Sequence, residues 1–293
     1  MPHLHKIEAN EPSPASVLAT VCDRIPLSLF CPGGLAIVIN FVGCLCKCDV
    51  ERCPWDANLD PRSVRITRLS SQEISSLVSR YRPDLVFFHG AEPYLYNAFP
   101  HLVKSLSGVN IGVKVCARML PKFLNYYNKF LQEIQYIVLL IEIIDLNDVE
   151  ILNNHLDVLS SSKFIFEFAV LAEDQVKLHQ MMSRIINVIT THGLNSVAIN
   201  LVPTSARLSE EQVLHLVTTF REKFTHIYVP SSYISELASV LCHKCRLPIV
   251  VRRNYTVIKL NVGEQGTCKY CHSKVLTCVA RHKLRIPLEE VIR

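Results

Sequence analysis

The sequence predicts an α/β fold of six or seven repeated βα units, followed by a small metal-binding module. Three observations support this prediction. Apolar runs of strand length alternate with helical patterns, the runs recur roughly every 26–33 residues after the first unit, and cysteines cluster in two short segments. The chain has 293 residues, of which 49% are hydrophobic and 19% charged. This composition allows a sizeable core and argues against disorder.

Seven apolar runs are strand candidates, and both of their faces are apolar, as in strands buried on both sides of a parallel sheet. They are LAIVINF (35–41), DLVFFHG (84–90), NIGVKVC (110–116), YIVLLIEII (136–144), KFIFEFAVL (163–171), SVAINLV (196–202) and HIYVP (226–230). So many units indicate a barrel or part-barrel rather than a small doubly wound sheet. In barrels the loops at the carboxyl ends of the strands carry function, so the loops after the first two strands meet on one face.

Residues that are typical of helix ends occur between these strands. Two capping boxes and one terminal glycine stand out, namely Ser70 with Glu73, Ser209 with Gln212, and Gly193 after a helix at 174–191. The alternation of predicted strands and helices ends after Pro230, and the second cysteine group follows.

The first cysteine group directly follows the first predicted strand. Cys44, Cys46, Cys48 and Cys53 fall within ten residues. Closely spaced thiolates on one loop are typical of iron–sulfur clusters, whereas zinc more often takes ligand pairs from separate turns. We therefore predict a 4Fe–4S cluster on Cys44, Cys48 and Cys53 with one iron left open, and Cys46 as the substitute ligand. A second zinc site or reactive surface thiols are the alternatives.

The second cysteine group has the spacing of a zinc ribbon, in which two CxxC turns close a tetrahedral site. Its four predicted zinc ligands are Cys242, Cys245, Cys268 and Cys271, with 22 residues between the two pairs. The segment at 247–262 alternates apolar positions and predicts a β-hairpin. We interpret His243 and His272 as exposed neighbours rather than ligands. Four further cysteines are interpreted as buried structural or spare thiols: Cys22, Cys31, Cys116 and Cys278.

Two motifs in this order resemble the radical S-adenosylmethionine (SAM) superfamily. In that family C-x3-C-x2-C follows the first strand and GGEP follows the second. Here Gly90, Ala91, Glu92 and Pro93 match the second motif with one glycine replaced, and the last cysteine gap is four residues instead of two. Trp55, shortly after the cysteines, fits the same resemblance.

The C-terminal part is similar to the end of AmmeMemoRadiSam-system radical SAM enzymes, which are activase-like and carry a C-x-x-C-G pair. Where those relatives have a glycine after each CxxC, this chain has Arg246 and His272. The resemblance covers residues 35–278. It implies four segments: an N-terminal extension (1–34), a radical SAM partial (β/α)6 barrel (35–232), a zinc-ribbon module (233–278) and a C-terminal tail (279–293).

The resemblance also implies a mechanism. The open iron of the cluster would chelate SAM, and one electron would cleave it to a 5′-deoxyadenosyl radical that abstracts hydrogen from an unidentified substrate. Glu92 and the backbone of Gly90 and Ala91 would hold the methionyl amine. Asp145, in a segment that resembles the D-L-K of activase-like members, is a further cofactor-binding candidate. The substrate would be a protein, an RNA or a small molecule, and the electron donor a ferredoxin or flavodoxin.

Two alternatives remain beside this enzyme. One is an activase of a glycyl-radical enzyme, which would act on a partner protein. The other is a degenerate barrel that binds RNA or a partner through the basic ribbon, where six cations gather: Arg246, Arg252, Arg253, Lys259, Lys269 and Lys274.

The sequence predicts a soluble cytoplasmic protein without a membrane partner. Residues 1–16 lack the apolar core of an export signal. The longest apolar run, Tyr136–Ile144, is interrupted by Glu142 and is too short to span a bilayer. The net charge of +5 is mild and permits, without requiring, an acidic partner or RNA.

Overall fold

The computed structural model describes residues 14–41, 70–90, 92–106, 108–131, 137–204, 208–280 and 290–291. The strands in these ranges are β1 (Pro14–Val21), β2 (Leu35–Phe41), β3 (Leu85–His89), β4 (Asn110–Cys116), β5 (Ile137–Ile143), β6 (Phe164–Ala172), β7 (Ile199–Pro203), β8 (Ile227–Tyr228), β9 (Val240–Leu241), β10 (Pro248–Arg253), β11 (Thr256–Leu260) and β12 (Glu290–Val291). The α-helices are α1 (Ser71–Tyr81), α2 (Phe99–Ser105), α3 (Leu120–Phe130), α4 (Leu146–Asn153), α5 (Leu156–Ser161), α6 (Gln175–Thr191), α7 (Glu210–Arg221) and α8 (Ser235–Ala238).

The main sheet has the strand order β12-β1-β2-β3-β4-β5-β6-β7-β8. Every neighbouring pair from β2 to β8 is parallel, whereas β1 is antiparallel to both of its neighbours. The parallel strands fall on the seven predicted runs, which confirms an α/β protein with a mostly parallel sheet. Within the described residues the sheet is open, with β8 and β12 at its edges.

The two faces of the sheet are covered differently. Ile39 and Phe88 belong to a large core into which α1 to α7 also bury their apolar side chains. Ala36 and Phe87, which lie an odd number of residues from these two on the same strands, belong to a second core that contains residues of the 22–31 segment and none from α1 to α7. Because successive strand residues point to opposite faces, these helices lie on one face. A doubly wound sheet carries helices on both faces, so the described part of this sheet differs from that arrangement.

The predicted helix boundaries are confirmed where they were specified. Ser70 and Glu73 form a capping box at α1, and Ser209 and Gln212 form another at α7. Gly193 follows α6 in the left-handed conformation, with φ of 71°.

Strand β1 was missing from the sequence prediction, which assigned no strand to residues 1–34. It pairs with β2 along its length, from Pro14 opposite Phe41 to Val21 opposite Leu35. Val17 and Ala19 are both fully buried, but Leu18 between them is also apolar, so the run does not alternate clearly. Proline, alanine and serine supply half of its eight residues, so its propensity for a strand is weak.

The second sheet, with the order β11-β10-β9, contains the predicted hairpin and docks on the main sheet. Its core includes Leu29, Ala198 and Tyr228 from the rest of the chain. Arg221, at the end of α7, donates to the carbonyl of Ile227 at 2.9 Å and lies over the Tyr228 ring. The C-terminal module therefore shares a hydrophobic core with the sheet that precedes it.

A buried ion pair joins the C-terminal module to the segment after β1. Arg252 Nε donates to Asp23 Oδ1 at 2.6 Å, and both side chains are 1% exposed. Arg252 also donates to the Ser28 carbonyl at 3.0 Å. The other oxygen of Asp23 accepts from the Gly33 backbone N–H at 2.6 Å. Asp23 and Arg252, which are 229 residues apart in sequence, therefore compensate each other's buried charge.

A covalent bond connects the same two regions. Cys31 and Cys278 form a disulfide with a Cα–Cα distance of 4.6 Å, within the usual range for such bonds. The interpretation of these two cysteines as separate structural or spare thiols was wrong. Their separation of 247 residues explains why: nothing local in the sequence indicates the pairing.

The buried pair predicts a contrast between two adjacent arginines. Arg252→Ala should lower the free energy of unfolding by about 3–5 kcal/mol, because it leaves the Asp23 carboxylate buried without its partner. Arg253→Ala, which removes the exposed neighbour, should change it by less than about 0.5 kcal/mol. Denaturant titration of the metal-loaded protein measures both values, and similar values for the two variants would contradict this account.

Candidate metal centre and carboxyl-edge site

The structure brings the four cysteines of the second group together. Their Sγ atoms all lie within 4.8 Å of one another, with Cys242 and Cys271 3.5 Å apart and Cys245 and Cys268 3.7 Å apart. Four thiolates at 2.3 Å from a tetrahedral ion would be separated by about 3.8 Å. The group could therefore hold a metal ion such as zinc.

Each CxxC pair is held in a tight turn by the backbone. The N–H of Arg246 donates to the Cys242 carbonyl, and the N–H of His272 donates to the Cys268 carbonyl, both at 2.9 Å. Arg246 and His272 adopt left-handed φ values of 60° and 59°. Glycine adopts this conformation most readily, so both positions carry a conformational cost for residues with a side chain.

Polar contacts around the sulfurs favour thiolates. The Ser273 hydroxyl lies 3.2 Å from Cys242 Sγ and 3.1 Å from Cys271 Sγ, and the Tyr270 N–H donates to Cys268 Sγ at 3.4 Å. Hydrogen bonding by Ser273 lowers the pKa of the Cys271 thiol to about 6. Against a lowering hydrogen bond from the Leu247 backbone, burial and the neighbouring thiols raise the pKa of Cys245 to about 12. Since the thiolate is the form that binds metal, the Cys271 environment suits metal binding, and Cys245 would release its proton when the metal binds.

A second group of polar side chains lies at the carboxyl ends of β2 to β5. His89 Nδ1 is 3.2 Å from Asn40 Oδ1, and these residues are paired in the register of β2 and β3. Lys114 Nζ donates to Glu142 Oε2 at 3.4 Å, and Cys116 Sγ donates to the same oxygen at 3.3 Å. We call these five residues the carboxyl-edge cluster.

Burial makes the carboxyl-edge cluster unusual. The side chains of Lys114 and Glu142 are 4% and 1% exposed, and His89 is 7% exposed. Charged groups are rarely buried to this extent unless they are paired, and a buried ion pair is weak evidence of added stability. Polar groups collected at the carboxyl edge of a parallel sheet are instead typical of a functional site.

Two of the predicted cofactor-binding residues follow His89 of this cluster closely in sequence. Gly90 has φ of 79°, and a β-carbon there would approach the Phe41 carbonyl oxygen to 2.4 Å, so only glycine fits. Glu92 is 4% exposed and has φ of 43°, a conformation that is uncommon outside glycine and often marks functional positions. Ala91 lies outside the described residues.

Asp145 has a structural role in the described part of the chain. Its side chain accepts from the Asp148 backbone N–H at 3.1 Å and forms a capping box at the start of α4. It also forms an ion pair with Arg118. These contacts account for an aspartate at this position, and its role toward a cofactor remains a prediction.

The predicted cluster ligands Cys44, Cys48 and Cys53, together with Cys46, lie outside the described residues. Lys114 and Glu142 were not among the residues predicted to be functional. A signal was present, because each is a charged residue inside an otherwise apolar run of a buried strand.

Comparisons with protein-family models, with curated proteins and with solved structures give no match for this chain. In the part of the chain that the structure describes, no helix has the length and apolar character needed to cross a membrane.

The metal centre predicts the metal content of the purified protein. Aerobically purified wild-type protein should contain about one zinc per chain, because four thiolates fill a tetrahedral site. Cys268→Ala should lose that zinc, and its C-terminal module should become sensitive to protease. Cys22→Ala, which removes an equally buried thiol elsewhere, should keep both the zinc and the resistance. Elemental analysis and limited proteolysis test this, and zinc retained by Cys268→Ala, or iron in its place, would contradict the assignment.

Proposed function

We propose that this chain is a radical SAM enzyme that works at the carboxyl edge of its main sheet. The observation that carries the proposal is the carboxyl-edge cluster, whose polar side chains come from four adjacent parallel strands. Two of those strands, β2 and β3, lead directly in sequence into the cysteine-rich segment and into Gly90–Glu92. The substrate would be a protein, an RNA or a small molecule, and a ferredoxin or flavodoxin would donate the electron.

The residues at this edge fit the proposed cofactors. The missing β-carbon at Gly90 allows the backbone after β3 to pass close to the Phe41 carbonyl, so Gly90 lies near the end of β2. The carboxylate of Glu92 is an acceptor for the ammonium group of SAM, and three of the cysteines Cys44, Cys46, Cys48 and Cys53 would hold the cluster. When bound, this pair of cofactors would supply one-electron cleavage of the sulfonium bond and a carbon radical.

The protein's own residues would bind and orient the cofactor and the substrate, and would shield them from water. Burial of Lys114 and Glu142 places a fixed positive and a fixed negative charge where little water competes, so each would orient a polar substrate or cofactor group strongly. The 22–31 segment packs with Ala36 and Leu85 at the amino-terminal ends of β2 and β3. This packing would exclude water from the amino-terminal end of the face whose carboxyl-terminal end carries the carboxyl-edge cluster.

Zinc in the C-terminal module would be structural. A four-thiolate site has no open position for a substrate or a water molecule. Its contribution would be folding free energy for a module whose own core is small.

Anaerobic reconstitution tests the proposal. The wild-type protein should bind about four iron atoms at a site with three thiolate ligands, and should produce 5′-deoxyadenosine from SAM after reduction. Each of Cys44→Ala, Cys48→Ala and Cys53→Ala should lose the cluster absorbance, and Cys22→Ala should keep it. Full iron in all three ligand variants would contradict the ligand assignment.

Glu92→Ala should keep the cluster and weaken SAM binding by roughly tenfold to a hundredfold, because a hydrogen bond between charged groups is lost. Isothermal calorimetry on the reconstituted protein measures the affinity. No detectable SAM binding by the reconstituted wild type would exclude the enzymatic function and favour a non-enzymatic α/β protein.

A further inference from the structure

The positive charge of the chain is concentrated in its C-terminal module. Residues 1–239 contain 20 Lys and Arg against 23 Asp and Glu, a net charge of −3. Residues 240–280 contain seven Lys and Arg against one acidic residue, Glu264, a net charge of +6. Arg252 is buried against Asp23, and the other six cations of this module are exposed. The electrostatic potential around this module is therefore positive and attracts anions, whereas the net charge of residues 1–239 does not.

Exposed side chains surround the metal centre closely. The residues inside or directly after the two CxxC turns are all exposed, and we call them the knuckle rim: His243, Lys244, Arg246, Lys269, Tyr270 and His272. The Sγ atoms of both turns lie within 4.8 Å of one another, so the turns are adjacent. Cations from both turns and one aromatic ring therefore share one small surface.

Two rim residues occupy backbone positions that would suit glycine better. Arg246 and His272 have φ of 60° and 59°, a conformation that costs side-chain-bearing residues free energy. Backbone outliers of this kind are concentrated at functional sites. The unfavourable backbone conformation of Arg246 and His272 is an observation independent of the net charge of the module.

The composition of the rim distinguishes between classes of partner. Lysine is depleted in protein–protein interfaces, and their cores are poor in charge. Single-stranded nucleic acids instead require cations for the phosphates and exposed rings on which bases stack. Tyr270 is 50% exposed and lies between Lys269 and the metal ligand Cys271. This combination favours a nucleic acid.

We propose that the knuckle rim binds single-stranded nucleic acid. Lys244, Arg246 and Lys269 contact phosphates, and the ring of Tyr270 stacks on a base. The proposal goes beyond the radical chemistry and does not depend on it, because binding is measured without SAM or reductant.

The experiment uses zinc-loaded full-length protein and fluorescein-labelled RNA and DNA single strands of about 12 nucleotides, a length near the range of single-strand binding sites. Fluorescence anisotropy gives the Kd at several salt concentrations. Lys269→Glu, Lys244→Glu and Tyr270→Ala should each weaken binding at least about fivefold, whereas Tyr270→Phe should stay within about twofold of the wild type. Each lysine variant should also reduce the slope of log K against log salt by about 0.7.

Arg253→Glu is the matched control, because it makes the same charge change at an exposed position at the far end of β10. It should remain within about twofold of the wild type. Zinc content of every variant verifies that the module is folded. Absence of binding to either oligonucleotide would overturn the proposal, as would equal losses in Arg253→Glu and Lys269→Glu. Tighter binding of polyglutamate than of either oligonucleotide would overturn it in favour of an acidic protein partner.

Discussion

Buried charged side chains join the main sheet, the C-terminal module and the segment after β1. Arg252 and Asp23 form one pair there, and Glu167 of β6 accepts from the backbone N–H groups of Ser28 at 2.7 Å and Leu29 at 2.9 Å. Burial raises the pKa of Glu167, and the hydrogen bond from Asn200 together with these N–H donors opposes that rise. Each such group is costly to bury unless its partners are in place, so the contacts fix three parts of the chain relative to one another.

This constraint separates the two candidate sites. The 22–31 segment, held by Glu167 and Arg252, packs on the amino-terminal part of the helix-free face. The carboxyl-edge cluster lies at the opposite ends of the same strands, where Lys114 and Glu142 are paired. The metal centre belongs to the module that supplies Arg252. A metal bound there would therefore support the proposed catalytic face through packing, while the proposed chemistry lies at the carboxyl edge.

The fold was predictable where the signals are local. Apolar runs of strand length gave the seven parallel strands, and the capping pairs at Ser70 and Ser209 gave the starts of two helices. The paired CxxC spacing gave the four-thiolate site, because that geometry needs only two short turns. Features that depend on distant contacts were not predictable: Asp23 meets Arg252 across 229 residues, and Cys31 meets Cys278 across 247.

The candidate site was predictable in part for the same reason. Gly90 and Glu92 belong to a contiguous motif, so they could be named as candidates from the sequence alone. The carboxyl-edge cluster arises only when the register of β2 to β5 aligns single residues from separate runs, such as Cys116 opposite Glu142. Asp145 illustrates the converse, since its residue type is explained by a helix cap that a motif comparison does not consider.

We infer that the metal folds the C-terminal module, and that Arg252 of this module then holds the 22–34 segment on the sheet. Amide hydrogen exchange with and without chelation of the metal measures both effects. Chelation should accelerate exchange in the module and also at the amides of Ser28, Leu29 and Gly33, which donate to Glu167 and Asp23. The strands β3 to β5 should stay protected. Fast exchange in the module with unchanged protection of the 22–34 segment would contradict the account.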